Sequence, residues 1–563
     1  MKLISNNKWI RPKPIFFYIG WLILLLFSIW LMFYTFSYDS TKQSMVIAAK
    51  VWSDFGAHIP LIRSFSLGSN FPNVEYPIFP GEPIRYHFLF YLFVGSLERL
   101  GIRIDFALNI PSIAGFFFLL IMIYAVATEL FHDRRVGALA IIFFLFNGSF
   151  AFFQFFETHP LSIHTLSDIV TNKDFPAFAP WDGKDILAFW NMNIYTNQRH
   201  FAAALGIALL YIFMFLRFEQ KSMKHKHVIA IVLGLLAGIL PFFHQPTLPL
   251  VATIMIFYVL LFPKARRYIF ISGITAFLVV IPQLLLLPKS TNGIEWYPGF
   301  YVHRDFSILR FISYWIQNIG LHIIFIILGF IIAPRRAKKA LIIVFVLFTV
   351  ANLFKFSKEL AASHKFFNFA LILGQMASSY FIISYINKLK KIPSRLLRIP
   401  LYGYISIMLF LLTFSGIIDF FAVANDNRLP LADIGTNKTA TWIATNTPSD
   451  AIILNSSYLF NPASIAGRKI FLGWPYFAWS AGHNTETRME DMRIIYEVKN
   501  TETMCQMLRQ YNIDYITVEP TNGNPDLPDI DILYFSRTYT PIFTNDSTQL
   551  TIYSTNNICT STQ

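Results

Sequence analysis

The side chains best suited to chemistry follow the first long hydrophobic run of the chain. Asp54 and His58 are four residues apart, a spacing that places two side chains on one face of a helix. A carboxylate beside such a run can act as a general base for an incoming hydroxyl group. The alternative is a short helix along an outer surface with a merely solvated polar face, and the residues alone favour it.

A second group of polar candidates lies between Tyr76 and Tyr91, where a Pro/Gly turn precedes an aromatic, histidine-containing stretch. Glu82 or His87 of this group could orient the incoming hydroxyl. Asp54, His58 and Glu82 together would offer a divalent metal only a few ligands. We therefore predict no metal and no other cofactor.

The stretch 157–199 is rich in acidic, amide, histidine and aromatic residues. Its spacings match no standard metal-ligand pattern, so we expect mostly solvation and helix caps. The segment from Trp190 to Phe201 could stack on and hydrogen-bond a sugar, or form an interfacial aromatic belt with a helix cap. The acidic and histidine residues concerned are Glu157, His159, His164, Asp168, Asp174, Asp182 and Asp185.

The composition indicates what must position these residues. Hydrophobic residues make up 55% of the 563 and charged residues 14%, whereas a soluble domain carries about a quarter charged residues. The composition therefore predicts an α-helical polytopic membrane protein with about eleven spans of roughly 20 residues. The predicted spans are 15–36, 110–131, 136–156, 200–216, 227–243, 247–263, 268–288, 308–333, 340–356, 366–386 and 399–420.

The net charge of +14 follows the same pattern. With the N-terminus in the cytoplasm, the cytoplasmic segments hold 22 basic residues and only two acidic ones, Asp133 and Glu219. This distribution is a positive-inside signature and not a nucleic-acid-binding patch. The basic residues are Lys2, Lys8, Arg11, Lys13, Arg134, Arg135, Arg217, Lys221, Lys224, Lys226, Lys264, Arg266, Arg267, Arg335, Arg336, Lys338, Lys339, Lys388, Lys390, Lys391, Arg395 and Arg398.

This topology places the long loops 37–109, 157–199 and 289–307 outside the cytoplasm, together with the tail. We predict a transmembrane domain over residues 1–420 and a small extracytoplasmic soluble α/β domain over 421–563. Alternating residues from Tyr515 to Val518 predict a strand, and a helix is expected near 437–446. Both cysteines, Cys505 and Cys559, lie in the tail, where a disulfide is allowed but not required.

One short break between two predicted spans carries polar residues. His244 and Gln245 stand between Pro241 and Pro246 at the external end of a hairpin. The simpler interpretation, which we favour, is a tight interhelical turn. The other is a hairpin that ends inside the membrane with its polar tip lining a lumen.

The first loop resembles that of the GT-C superfamily of integral-membrane glycosyltransferases, in a branch similar to the dolichyl-phosphate-mannose protein mannosyltransferases and lipid-A aminoarabinose transferases. The shared features are an acidic residue after the first span, Asp54, and a Pro/Gly turn before a His-containing helix. Asn352 to Phe356, followed by His364 to Phe367, is similar to a late external element of this branch. Ala361-Ala362-Ser363 replaces the usual Trp-Asp-Asn. In the tail, Gly467 to Lys469 and Leu472 to His483, with Arg488 and Tyr496, resemble segments of related external domains.

The resemblance covers the topology of the whole chain and implies a polyprenyl-phosphate-linked sugar donor within the lipid bilayer. It also implies an unidentified glycan, lipid or protein acceptor. Asp54 would deprotonate the acceptor hydroxyl, and the reaction would invert the anomeric centre. Cations would bind the leaving phosphate, although each could instead snorkel to the interface. The expected substrate-binding residues are His58, Arg63, Glu82, Arg85, Tyr86, His87, Arg199, His200 and Lys365.

Two other functions compete with this one. A transporter or flippase of lipid-linked saccharides is expected to carry ionisable residues or breaks within its spans. The predicted spans are almost free of charge at their centres, and this favours chemistry at the external surface. A catalytically inactive GT-C-like scaffold is the other alternative, because Trp-Asp-Asn is absent. We expect a multi-pass cell-membrane protein with a cytoplasmic N-terminus and an extracytoplasmic C-terminal domain.

Overall fold

The structure is a computed structural model that describes residues 14–219, 223–286, 294–498, 500–521 and 527–560. The basic N-terminal arm, Lys221 and residues 289–293 of the third predicted loop lie outside these ranges. The described chain is mostly helical up to residue 424. Its helices there are α1 (Pro14–Thr35), α2 (Trp52–Ser66), α3 (Leu89–Arg99), α4 (Ile104–Phe131), α5 (Arg134–Leu145), α6 (Ala151–Thr158), α7 (Thr165–Val170), α8 (Asn193–Asn197), α9 (Phe201–Phe218), α10 (Lys226–Gly238), α11 (Leu240–Phe243), α12 (Thr247–Leu261), α13 (Arg266–Leu286), α14 (Ile308–Ile319), α15 (His322–Ile332), α16 (Arg335–Leu353), α17 (His364–Leu389), α18 (Arg395–Leu411) and α19 (Phe414–Ala424).

Within the described ranges, six helical segments are long and apolar enough to cross a membrane. Two bent pairs raise the number to eight if each pair is a single span: α14 with α15 bends by 89°, and α18 with α19 by 43°. The chain is therefore a multi-pass membrane protein. The six segments are Ile15–Thr35, Ile104–Phe131, Phe201–Phe218, Lys226–Phe243, Arg266–Leu286 and Leu360–Leu389.

The predicted total of eleven spans is not confirmed. The run 136–156 divides into α5 and α6, two helices of 12 and 8 residues. The run 247–263 forms α12, which has 15 residues and a length of about 22 Å, short of a hydrocarbon core of about 30 Å. An apolar run of the right length does not reveal a break in the helix, so hydropathy alone does not determine the number of spans.

The helices pack into one bundle. α4 lies along α9 and also contacts α1 and α5, while α10 packs on α13 and α15 on α17. At one end of the bundle, Glu129 of α4 pairs with Arg217 of α9 at 3.3 Å and with Arg336 of α16 at 3.0 Å. Because both arginines belong to predicted cytoplasmic segments, this ion-pair cluster brings two such segments to the same end of the bundle, next to the last turn of α4.

Two small sheets and two strand pairs organise the loops and the tail. The antiparallel order β1-β2-β7 joins the first loop to the start of the tail, and the mixed order β11-β12-β10-β8-β9 forms the centre of the tail. β10 runs parallel to β8 and antiparallel to β12. The strands are β1 (Phe36–Asp39), β2 (Ser44–Ala48), β3 (Glu75–Tyr76), β4 (Phe79–Pro83), β5 (Glu295–Trp296), β6 (Phe354–Lys355), β7 (Arg428–Ala432), β8 (Ile452–Leu454), β9 (Lys469–Ile470), β10 (Tyr515–Val518), β11 (Phe543–Asn545) and β12 (Leu550–Ser554).

The tail contains the expected strand, β10, and a helix at the expected place. Cys505 of the tail is disulfide-bonded to Cys559. The division of the chain at residue 420 stays a prediction, and one buried cluster contains residues from both sides of it. The tail helices are α20 (Lys438–Asn446), α21 (Pro462–Ile465), α22 (Pro475–Ser480), α23 (Thr485–Glu497), α24 (Thr501–Gln510), α25 (Ile532–Thr538) and α26 (Thr555–Thr560).

The helix that carries Asp54 is covered by other elements. α2 was expected as a short surface helix, but it has 15 residues and is buried from Phe55 to Ser66. It packs against α3 and against α21 of the tail. A Cβ at Gly95 of α3 would lie 2.7 Å from the carbonyl oxygen of Ile62, so this crossing needs a glycine. The surface interpretation is wrong because the loop and tail fold back over α2.

Candidate active site around Asp54

Asp54 lies in the first turn of α2 and is partly accessible. No donor among the described residues makes a hydrogen bond to its carboxylate by ordinary geometric criteria. Its side chain faces the protein interior, and burial raises the pKa of Asp54 to about 6. The negative charge of Glu359 raises this pKa further, and the positive charge of Lys365 opposes the shift. The site thus contains an accessible carboxylate poised to accept a proton near neutral pH.

Glu359 and Lys365 reach Asp54 from a segment about 300 residues away in the sequence. The strand pair β5–β6 begins this segment, with Glu295 opposite Lys355 and Trp296 opposite Phe354. Tyr476 of the tail donates a hydrogen bond to Oε1 of Glu359. The site is therefore assembled from the first loop, the segment before α17 and the tail.

Lys365 lies one residue into α17 and is 8% exposed. Its Nζ is 3.4 Å from Nε2 of His364. No carboxylate in the described part of the chain lies within 4.0 Å of Nζ, so Lys365 forms no ion pair there. A buried cation beside a carboxylate, without a close counter-ion, is suited to binding an anionic group of a ligand.

Three histidines form a buried cluster next to these residues, which we call the histidine cluster: His87, His200 and His244. Nε2 of His87 lies 2.6 Å from Nε2 of His200, and the ring of His244 lies 5.0 Å from that of His87 and 5.2 Å from that of His200. Burial lowers the pKa of all three, and the charge of Lys365 lowers it further. The rings are therefore neutral at physiological pH.

His244 belongs to the hairpin for which the sequence left two interpretations. Its side chain is 0% exposed, and its Nδ1 lies 2.7 Å from Oγ1 of Thr247. The turn is short, as in the simpler interpretation. Its histidine nevertheless points into the protein and meets residues of the first loop and of α9, which agrees with a polar tip that faces inward.

His58, one helical turn after Asp54, is 5% exposed. Its ring lies 5.0 Å from that of Tyr91 and 5.6 Å from that of Phe55. Burial, followed by the charge of Arg199, lowers the pKa of His58 to about 3. His58 is therefore neutral, and its buried Nδ1 has no hydrogen-bond partner within the described part of the chain.

Two of the predicted phosphate-binding arginines form ion pairs or hydrogen bonds with other side chains of the protein. Arg63 pairs with Asp433 at 2.9 Å and with Glu98 at 3.2 Å, beside a cleft of about 410 Å³ whose lining does not include Asp54. Arg199 is 0% exposed and donates to Asn109 at 3.0 Å and to Thr35 at 2.9 Å. These contacts connect the first loop to the tail, and α9 to α1 and α4.

Glu82 and Arg85 form a third polar group, with the tail. They pair with each other at 2.9 Å, and Arg85 donates to the carbonyl oxygen of Gly482 at 2.8 Å. Nδ1 of His483 lies 3.1 Å from Oε2 of Glu82. Tyr86, the next residue of the loop, stacks on His87 with ring centroids 3.9 Å apart. Tyr86 thus lies between this group and the histidine cluster.

Solved structures with a similar architecture are membrane glycosyltransferases. ArnT from Cupriavidus metallidurans, bound to undecaprenyl phosphate, matches with a TM-score of 0.51 at 9% identity, over 96% of this chain and 98% of that chain. The arabinofuranosyltransferase AftD from Mycobacteria matches with a TM-score of 0.53 at 13% identity, over 89% of this chain and 35% of that chain. The chain has the GT-C fold.

The oligosaccharyltransferase of Archaeoglobus fulgidus, in complex with Zn and sulfate, shares the GT-C fold. It matches with a TM-score of 0.50 at 12% identity, over 89% of this chain and 67% of that chain. The sequence matches no protein-family model and no curated protein. The GT-C resemblance inferred from short motifs is thus confirmed, although overall sequence similarity is very low.

Several polar residues of the second predicted loop have structural partners. Asp185 forms a two-point ion pair with Arg310, both contacts being 2.6 Å. Asp182 accepts hydrogen bonds from two backbone amides of its own turn. Trp190 donates to Asn318 at 2.8 Å. Apart from the histidine cluster, the described residues contain no group of three acidic, histidine or cysteine side chains spaced for a metal ion.

Four residues of the site were absent from the predicted set: Glu359, Tyr476, His244 and His483. The sequence offered a signal for two of them. His244 stands at a polar break between apolar runs, and Glu359 lies within the late external element that resembles the GT-C branch. Tyr476 and His483 lie in the recognised tail segment, but nothing in their spacing indicates which loop residues they contact.

Proposed function

We propose that the protein is a membrane glycosyltransferase that transfers a sugar from a polyprenyl-phosphate-linked donor to an acceptor hydroxyl group on the extracytoplasmic face. The observation that carries the proposal is that Asp54 and Lys365 are near enough for the charge of Lys365 to act on the pKa of Asp54, without an ion pair between them. Asp54 is partly accessible and has a pKa of about 6, and Lys365 has no close carboxylate partner among the described residues. One side chain can accept a proton while the other receives a leaving phosphate.

The orientation of the site supports this proposal. Predicted cytoplasmic arginines gather around Glu129 at one end of the bundle, whereas the first loop and the tail cover α2. Positive residues mark the cytoplasmic side of membrane proteins. The disulfide between Cys505 and Cys559 fits an oxidising compartment, which also favours an extracytoplasmic tail. The structure of ArnT with undecaprenyl phosphate supports a lipid-linked donor for this fold.

In the proposed reaction, Asp54 accepts the proton of the acceptor hydroxyl as its oxygen attacks the anomeric carbon. A new carbon–oxygen bond forms, and the bond between that carbon and the donor phosphate breaks with inversion. The phosphate leaves with the bonding electrons and acquires negative charge next to Lys365. A positioned cation stabilises such developing charge more strongly in a buried site than in water.

The decisive experiment measures the release of free polyprenyl phosphate by the full-length protein in native membranes. A panel of undecaprenyl- and dolichyl-phosphate-linked sugars serves as donor, and the membranes supply the acceptor. We expect the Asp54→Asn variant to lose activity by about 10² to 10⁴-fold, because an amide cannot accept the proton. The carboxamide has nearly the same shape, so folding is preserved.

Asp174→Asn is the matched control, since Asp174 is exposed in the second predicted loop and only its backbone groups make hydrogen bonds. This variant should release lipid phosphate at the wild-type rate. Full activity of the Asp54→Asn variant would exclude Asp54 as the general base. No release from any donor by the wild-type protein would contradict the transferase assignment itself.

A further inference from the structure

We propose that the histidine cluster binds one transition-metal ion of the Zn²⁺ type, at a site separate from the carboxylate of Asp54. His87 precedes α3, His200 precedes α9 and His244 precedes α12, so three distant segments supply one imidazole each. Their candidate ligand atoms all lie within 4.8 Å of one another. All three side chains are buried, His200 and His244 with 0% exposure and His87 with 6%.

The spacing is close to that of a tetrahedral site. Zn–N bonds of about 2.0–2.1 Å place two ligand nitrogens roughly 3.4 Å apart. The Nε2 atoms of His87 and His200 are 2.6 Å apart, which is shorter than this tetrahedral spacing. The ligand atoms of the three histidines lie within 4.8 Å of one another, and this upper limit is longer than the tetrahedral spacing. These separations differ from the tetrahedral value by roughly 1 Å.

The second ring nitrogens support the same assignment. Nδ1 of His244 lies 2.7 Å from Oγ1 of Thr247, and Nδ1 of His200 lies 3.4 Å from the hydroxyl of Tyr91. Metal-binding histidines typically use their second nitrogen in this way, which fixes the ring and the tautomer. Nε2 of His244 is buried and has no hydrogen-bond partner among the described residues. An unpaired buried nitrogen is costly unless a ligand occupies it.

The chemistry of the donors selects the class of metal. Three imidazoles without a carboxylate suit Zn²⁺, Co²⁺ or Ni²⁺, whereas Mg²⁺ and Ca²⁺ prefer oxygen ligands. Three protein ligands leave a fourth position for water or an anionic oxygen. The competing explanation is a neutral hydrogen bond between His87 and His200 that has a purely structural role.

The test measures metal binding directly, so its outcome does not depend on transferase activity. The purified full-length protein in detergent is stripped with a chelator, dialysed against Zn²⁺ and analysed for metal content. We expect one Zn²⁺ per chain for the wild type. Affinity should fall by at least about 100-fold in His244→Gln and in His87→Asn, because each variant removes one of three ligands.

The matched control is His322→Gln. His322 is also buried with 0% exposure, but its nitrogens face Ser378 at 3.4 Å and the carbonyl oxygen of Leu412 at 3.2 Å. This variant should keep one Zn²⁺ per chain. Loading the wild type with Co²⁺ should give the intense visible bands of four-coordinate cobalt, and these bands should be absent in His244→Gln.

Two results would overturn the proposal. One is a wild-type protein that retains less than a tenth of an equivalent of Zn²⁺. The other is a His244→Gln or His87→Asn variant that binds Zn²⁺ as tightly as the wild type. Thermal unfolding controls for folding: Zn²⁺ should raise the unfolding midpoint of the wild type and of His322→Gln, but not that of the cluster variants. If one cluster variant does not fold, the proposal is tested by the Zn²⁺ stoichiometry of the wild type and by the Zn²⁺ affinity of the other variant.

Discussion

The hydroxyl group of Tyr476 donates a hydrogen bond to Glu359, although the two residues are 117 positions apart. Glu359 acts in turn on Asp54, because its charge adds to burial in raising the pKa of that carboxyl group to about 6. The tail therefore helps to position the carboxylate that tunes the proposed base. This relationship makes the activity sensitive to pH and to residues distant from Asp54.

The pH dependence of the reaction is the first prediction. A general base works in its ionised form, so activity should rise with pH to a plateau, with a midpoint near 6. Glu359→Gln removes a like charge, which favours ionisation of Asp54 and should move the midpoint to lower pH. The measurement is lipid-phosphate release at saturating donor from pH 4.5 to 8.5. An unchanged midpoint in Glu359→Gln would show that the charge of Glu359 does not affect the pKa of the proposed base.

The second prediction concerns Lys365. Lys365→Met should raise the KM for the donor and lower kcat, because the leaving phosphate loses its cation. Lys365→Arg should restore part of the activity, since the charge returns. Exposed Lys173 provides the control, Lys173→Met, which should behave as wild type. Equal kinetics for Lys365→Met and Lys173→Met would exclude phosphate binding by Lys365.

Arg63 gives a prediction about stability. It pairs with Glu98 and Asp433, and side-chain exposure is 6% for Arg63 and 10% for each carboxylate. Arg63→Ala leaves two carboxylates buried without their cation, which should cost roughly 3–5 kcal/mol and lower the unfolding midpoint in detergent. Arg493→Ala, which removes exposed ion pairs with Glu490 and Glu497, should change it little. Similar midpoints for the two variants would contradict this role of Arg63.

The fourth prediction tests the topology. In intact cells, an impermeant maleimide should label Asp546→Cys, an exposed position of the tail, in a chain whose two native cysteines are replaced by serine. For the cytoplasmic side, Lys338→Cys is introduced into a chain whose two native cysteines are replaced by serine. That residue should react only after the membrane is permeabilised. Labelling of the tail that requires permeabilisation would reverse the proposed orientation.

The amino-acid sequence by itself determined the class of protein and the charge asymmetry, and it singled out Asp54 as the candidate base. These features are local: an apolar run, a cluster of basic residues or an acidic residue after a span is visible without knowing the fold. The motifs of the first loop also pointed to the GT-C fold, which the solved structures confirm. The number of spans was not predictable, since helix breaks such as that between α5 and α6 occur inside continuous apolar runs.

Only the tertiary structure decided which residues act together. The sequence presents Arg63, Arg85, Arg199 and Lys365 as equivalent cations, but the fold gives close carboxylate partners to the first two and buries Arg199 among neutral polar groups. Lys365 has no such partner among the described residues, and its charge acts on the pKa of Asp54. In the same way, His244 meets His87 and His200 from a separate hairpin. Such contacts join segments that are distant in the sequence, and local patterns carry no information about them.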